Sequence, residues 1–253
     1  MRRKPFSAFV LVSLALCAHP LIAQTPASND TRDVLLIGNS ITYYNEMPWI
    51  LERVASSLNA RPPIRTEFCG QGGLTLKQQW EGRARDRIHE REWDVVVIQA
   101  QSTEAARDTA TFRRYATLFV NEIKQTGARP VIFFTWQPKG FSYKQRQLDD
   151  AYRSLAKDTG AEIAPVGPAF QDLLTSGMDL FEGSDVHPNL AGSYLAACVL
   201  FATIYGRSPE GAVFVFNAHF DIPESYRRGL EQEHLSNVTA LKIQRAAWSA
   251  VKH

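Results

Sequence analysis

Five short apolar runs, spaced by longer amphipathic stretches, constrain this chain more than any other feature. They are "VLLI" (34–37), "PIRTEF" (63–68), "DVVVIQ" (94–99), "PVIFFTW" (130–136) and "AEIAPV" (161–166). Rich in valine, isoleucine or phenylalanine and nearly continuous in apolarity, they have the pattern of strands covered on both faces. Residues 46–59, 74–90, 108–127 and 144–159 read as helices between them, the third ending ahead of "GARP" and the fourth at Gly160. The alternation predicts an α/β fold: a five-stranded parallel sheet with right-handed crossovers and helices on both faces. Two further helices follow, from near Pro188 to about Tyr205 and from about Ser225 to the end. Between them "AVFVFNAHF" (212–220) fits either a short extra strand or an ordered loop. No repeat or interdomain linker interrupts 33–253, which is read as one domain closed by a C-terminal helix.

The first residues obey different rules. "MRRKPFSAFVLVSLALCAHPLIAQ" has a basic start, an apolar stretch of signal-peptide length and small residues near Ala23. It is too short and wrongly flanked to span a bilayer. The expectation is a signal over 1–23, cut after Ala23, then a linker over 24–32, with the mature protein periplasmic or extracellular and not inserted in a membrane. Leu16 is not the small residue that lipoprotein processing at Cys17 would want. Losing Arg2, Arg3 and Lys4 leaves 25 basic against 26 acidic residues, a net charge of about −1. No basic run survives to suggest nucleic acid or an anionic membrane as a partner.

Two cysteines remain, Cys69 and Cys198, and one pair is not a disulfide framework. Cys198 lies in an apolar helical run, where a buried thiol is expected. Without clustered histidines nothing has metal-ligand spacing. There is no Walker A sequence, and no "GxGxxG" follows the first strand; "GQGG" (70–73) lacks the full spacing. Neither a metal nor a nucleotide cofactor is therefore expected.

In an open α/β sheet, ligands bind outside the carboxyl ends of the strands. Ser40, Gly72–Gly73, Gln99–Gln101, Trp136–Gln137 and Gly167 all follow strand ends and are expected along one edge. Ser40, in "LLIGNSIT", fits two roles. Serine caps helices by accepting an N–H bond, yet at a helix start after a tight glycine turn its own N–H and the helix dipole face a developing anion. A serine hydroxyl needs a base. His187, in "SDVHPN", is stiffened by Pro188 and followed by a helix, unlike His89, His219, His234 and His253. Asp185, two residues earlier, could orient the imidazole if the segment is extended; it could equally cap the next helix, and Asp179 and Glu182 are nearby substitutes. The "GxSxG" elbow of α/β-hydrolases is absent.

These blocks resemble the SGNH, or GDSL-like, hydrolase superfamily of secreted esterases, in the right order over roughly 33–206. "IGNSIT" is similar to the nucleophile block, "GQGGLTL" to the glycine block after the second strand, and "DVHPN" to the histidine block. The resemblance implies a flavodoxin-like three-layer α/β/α sandwich. It implies Ser40 as nucleophile, His187 as base and Asp185 as acid, with an oxyanion hole from the Ser40 and Gly73 N–H groups and a side-chain amide. Gly72 rivals Gly73 for that place. Two departures stand out. The third block reads "IQAQSTEA" instead of "GxND", so Gln101 or Gln99 must supply the amide, Gln101 being preferred. The family's aspartate usually lies three residues before the histidine, where this chain has Ser184. The implied activity is hydrolysis of carboxylic esters, acetyl esters above all, on a small-molecule or glycan substrate. Trp136, Tyr43 and Tyr44 are candidates for stacking on sugar. The alternatives are a glycan-binding protein that has lost the chemistry and an acyltransferase using the same triad.

Overall fold

A computed structural model describes residues 31–140, 145–183, 186–215 and 235–252. The expected export signal, Asp185 and the segment 216–234 lie outside these residues.

Strands β1 (Arg32–Gly38), β2 (Ile64–Gly70), β3 (Val95–Gln99), β4 (Arg129–Phe133) and β5 (Glu162–Ala164) form one sheet in the order β2-β1-β3-β4-β5. Every pairing is parallel. Because side chains alternate along a strand, Val34 and Leu36 enter one core layer while Leu35 and Ile37 enter the other. This two-sided burial is why the runs of β1, β3 and β4 are continuously apolar instead of alternating. The edge strands β2 and β5 are only partly covered, unlike the coverage on both faces expected for all five. The first layer is closed by α2 (Met47–Ser57), α8 (Val166–Thr175), α9 (Leu190–Tyr205) and α10 (Asn237–Lys252). The second is closed by α3 (Leu76–Glu81), α4 (Ala84–His89), α6 (Thr109–Gln125) and α7 (Gln145–Thr159). Two one-turn helices, α1 (Ser40–Tyr43) and α5 (Glu104–Arg107), follow the central strands.

The chain leaves β1 toward β2 on one side and later returns to β3 on the other. The crevice between the ends of β1 and β3 is therefore the switch point where such sheets place ligands. At the neighbouring β1–β2 end, Gly38 pairs with Gly70. A Cβ on Gly70 would fall 1.8 Å from the Gly38 carbonyl oxygen, so the two strand ends approach as only glycine allows.

The structure redraws several expected boundaries. β1 starts at Arg32, inside the stretch assigned to the linker. The helix expected over 74–90 is two helices, divided at Gly82, which leaves helical backbone at φ −97° and ψ −141°. The run 161–166 yields a strand of only three residues, and the chain then enters α8, which the apolar pattern did not announce. Gly167 and Pro168 disguise that helix, yet each has a reason. Proline is tolerated in a first turn, and a Cβ on Gly167 would sit 2.1 Å from the Thr135 carbonyl oxygen. Residues 212–215 form no regular element, and the rest of "AVFVFNAHF" lies outside the described residues, as does part of the last expected helix.

Candidate active site

The turn after β1 settles which residue caps α1. Asn39 does: its side-chain oxygen accepts the Ile41 N–H at 3.2 Å, and its Nδ2 donates to the Leu74 carbonyl at 3.1 Å. Ser40 is the first helical residue, its hydroxyl not taken up by capping, and its Oγ lies 2.9 Å from His187 Nε2. The two residues are 147 positions apart in the chain.

His187 is placed from several sides. Residues 180–182 lie against 187–189: Phe181 bridges Pro188 in antiparallel fashion, the Glu182 N–H donates to the His187 carbonyl at 2.9 Å, and the Asn189 N–H donates to that of Leu180 at 3.0 Å. Asn189 then caps α9 through the Gly192 N–H at 3.0 Å. Asn45, in left-handed backbone at φ 51°, donates from Nδ2 to the Pro188 carbonyl at 2.9 Å. The Tyr44 ring stacks on the imidazole with centroids 4.7 Å apart. Burial, helped by the charge of Glu182, pushes the Tyr44 hydroxyl above its usual pKa, so the ring beside the imidazole stays neutral.

Of the candidate acids, Asp179 is committed elsewhere. It accepts the Phe181 N–H and pairs with Lys139, both at 3.2 Å, and those bonds hold its carboxyl below the usual range. Asp185 lies outside the described residues.

A cleft of about 370 Å³ opens at Ser40 and His187, lined also by Tyr43, Gly72, Gly73 and Gln101. Both candidate glycines reach it; Gly73 has left-handed backbone, φ 76°, and open space at its α-carbon. The two glutamines separate. Gln99 is fully buried, and its Oε1 accepts the Asn39 N–H and the Thr42 hydroxyl, each at 2.9 Å. Gln101 reaches the cleft, and its Oε1 is occupied by the Thr103 N–H and hydroxyl, each at 2.8 Å. That fixes the amide orientation and leaves Nε2 as the donor end. Trp136, a candidate for sugar stacking, is 1 % exposed and stacks on Phe170 at 4.3 Å, with its Nε1 donating to the Val186 carbonyl. It braces the histidine loop from the core.

The fold has counterparts among solved structures. A candidate SGNH hydrolase from Slackia heliotrinireducens is 28% identical and superposes with a TM-score of 0.60, over 69% of this chain and 99% of its own. A DUF4886 family protein from Bacteroides uniformis gives 0.66 at 18% identity, over 88% and 96%. A catalytic mutant of an acetylxylan esterase from Geobacillus stearothermophilus gives 0.58 at 16% identity, over 68% and 94%. The chain has the SGNH hydrolase fold. No family model and no curated protein matches it.

Within this SGNH fold, Glu104 is a residue that no sequence motif singled out. It is 5 % exposed, and its Oε2 accepts the Leu76 N–H at 3.1 Å and the Gln101 N–H at 3.2 Å. It thereby ties the loop that carries Gly72 and Gly73 to the loop that carries Gln101. Burial pushes its carboxyl above the usual pKa. The only signal in the sequence was an acid three residues after Gln101, at the start of a helix too short to show periodicity.

Proposed function

We propose that the protein is an exported serine ester hydrolase acting on acetyl esters of carbohydrate. The observation that carries the reading is the 2.9 Å approach of Ser40 Oγ to His187 Nε2, at hydrogen-bond distance in a cleft at the switch point. In the neutral tautomer with hydrogen on Nδ1, Nε2 accepts the serine proton as Oγ attacks the ester carbonyl carbon. Asp185 would hold that tautomer and balance the imidazolium. The carbonyl oxygen becomes an oxyanion facing the N–H groups of Ser40 and Gly73 and Nε2 of Gln101. When the C–O bond breaks, the imidazolium returns the proton to the departing alcohol, leaving Ser40 acylated. His187 then deprotonates a water that attacks the acyl carbon; acetate leaves and the proton goes back to Ser40.

The hydrolases and acetylxylan esterases among the structural neighbours support ester hydrolysis and a carbohydrate alcohol. The experiment is turnover of 4-nitrophenyl acetate by the purified protein spanning residues 24–253, with its Ser40→Ala variant, alongside labelling by a fluorophosphonate. Hydrolysis and labelling lost together in the variant are expected. Absence of both from the unaltered protein leaves a glycan-binding role, and acetyl transfer to an added sugar in preference to water identifies an acyltransferase.

A further inference from the structure

The cleft at Ser40 is the first of three adjoining cavities. Tyr43 and Gly72 line both the cleft and a second cavity of about 370 Å³. Phe68, Gly70 and Gln71 line both the second and a third of about 470 Å³, which extends to Gln79 and Arg83. Together they make a trough along the carboxyl end of β2, where a Cβ on Gly72 would lie 3.2 Å from the Tyr43 hydroxyl. Tyr43 and Phe68 meet edge to face at 5.4 Å and form an aromatic corner on its near wall.

The far end has a distinct chemistry. Its lining includes three glutamines and two arginines but no carboxylate. Arg87 is neutralised by Glu67 and Glu90. Arg83 is exposed and, among the described residues, pairs with no carboxylate. Gln79 is 2 % exposed, and its Oε1 accepts no hydrogen bond among those residues. A long acyl chain laid here would desolvate amides and a guanidinium without compensation. A polyhydroxylated chain would satisfy them, with a hydroxyl on the exposed Gln71 amide, a C–H face on the aromatic corner, and an anionic group on Arg83.

We propose that the trough binds the alcohol portion of the substrate as a run of sugar units, with a uronic-acid carboxylate seated at Arg83. The inference rests on the esterase reading for its direction, from the scissile bond at Ser40 outward. In the test, the protein spanning residues 24–253 is given an acetylated galacturonic acid trimer or acetylated xylotriose, and the two kcat/KM values are compared. The acidic trimer should be favoured about tenfold, one well-placed charged contact. Arg83→Ala should bring the two within twofold of each other, and Lys242→Ala on the exposed face of α10 should preserve the preference. Equal rates on the two trimers, or a preference that survives Arg83→Ala, would overturn the proposal. Calorimetry with the deacetylated galacturonic acid trimer and the Ser40→Ala protein separates this from the esterase reading. Arg83-dependent binding without any ester turnover would keep the trough and discard the esterase, whereas turnover without such binding would do the reverse.

Discussion

Gln99 Oε1 accepts the Asn39 backbone N–H at 2.9 Å, joining the end of β3 to the turn at the end of β1. The same oxygen takes the Thr42 hydroxyl, so one buried amide holds both ends of α1. Ser40 lies between those two anchors, and the direction in which its hydroxyl leaves the sheet is set from beneath. Gln99 therefore acts on the serine's position and Gln101 on the space above it.

That division predicts different losses for the two glutamines. Gln101→Ala should lower kcat by about 10²–10³ with little change in melting temperature, as removal of a single oxyanion donor does. Gln99→Ala should cost about 1–3 kcal/mol of stability, because it strands a buried N–H, and lower kcat as well. Steady-state kinetics and denaturant unfolding of the two variants, run side by side, check this; a Gln99 variant with unchanged stability refutes it.

Ser40→Ala and His187→Ala should each remove about 10⁴-fold or more of the turnover, and the double variant should lose little beyond either single one, since the pair acts as a unit. Additive losses would mean that the two side chains do not cooperate.

The acid is decided by contrast. Asp179 is held by Lys139 and the Phe181 N–H, so Asp179→Asn should lose less than about tenfold. Asp185→Ala should lose about 10³–10⁴-fold in kcat. The reverse order, measured on 4-nitrophenyl acetate, transfers the role.

Glu104 gives a pH signature. Burial raises its folded pKa above the ordinary 4.5, so the folded protein binds this proton more tightly than the unfolded chain. The resulting stabilisation is complete below the unfolded pKa and is lost as pH rises through the folded one. Glu104→Gln keeps an acceptor for the Leu76 and Gln101 N–H groups and cannot ionise. Urea unfolding at several pH values from about 4 to 8 should show the difference between variant and parent moving in favour of glutamine as pH rises. A difference that is flat with pH contradicts the assignment. Glu104→Ala, which leaves both N–H groups without their acceptor, should lower kcat and stability at every pH.

Much of the frame was legible because two-sided burial writes itself as continuous apolar runs: "VLLI" and "VVVI" became the central strands. Ser40 and His187 were legible because each stands beside a feature that stiffens or turns the chain, a glycine turn and a proline respectively. What stayed hidden was decided by contacts distant in sequence. Helix α8 is marked by Gly167 and Pro168, and only the Thr135 carbonyl pressing on Gly167 explains the glycine. Trp136 looked like a strand-end aromatic open to ligand, but helix α8 brings Phe170 against it and buries it. The choice between Gln99 and Gln101 turned on which side of the sheet end each amide faces, and no local pattern carries that.

Helix α9 begins two residues after the proline that follows the imidazole, and it is buried along nearly its whole length. Many surface loops can drift while the scaffold stays intact; the one carrying His187 is moored to a helix buried in the core. Heat or denaturant should therefore leave the distance between oxygen and imidazole almost unchanged until the whole structure gives way, so that activity and folding vanish at one temperature instead of two.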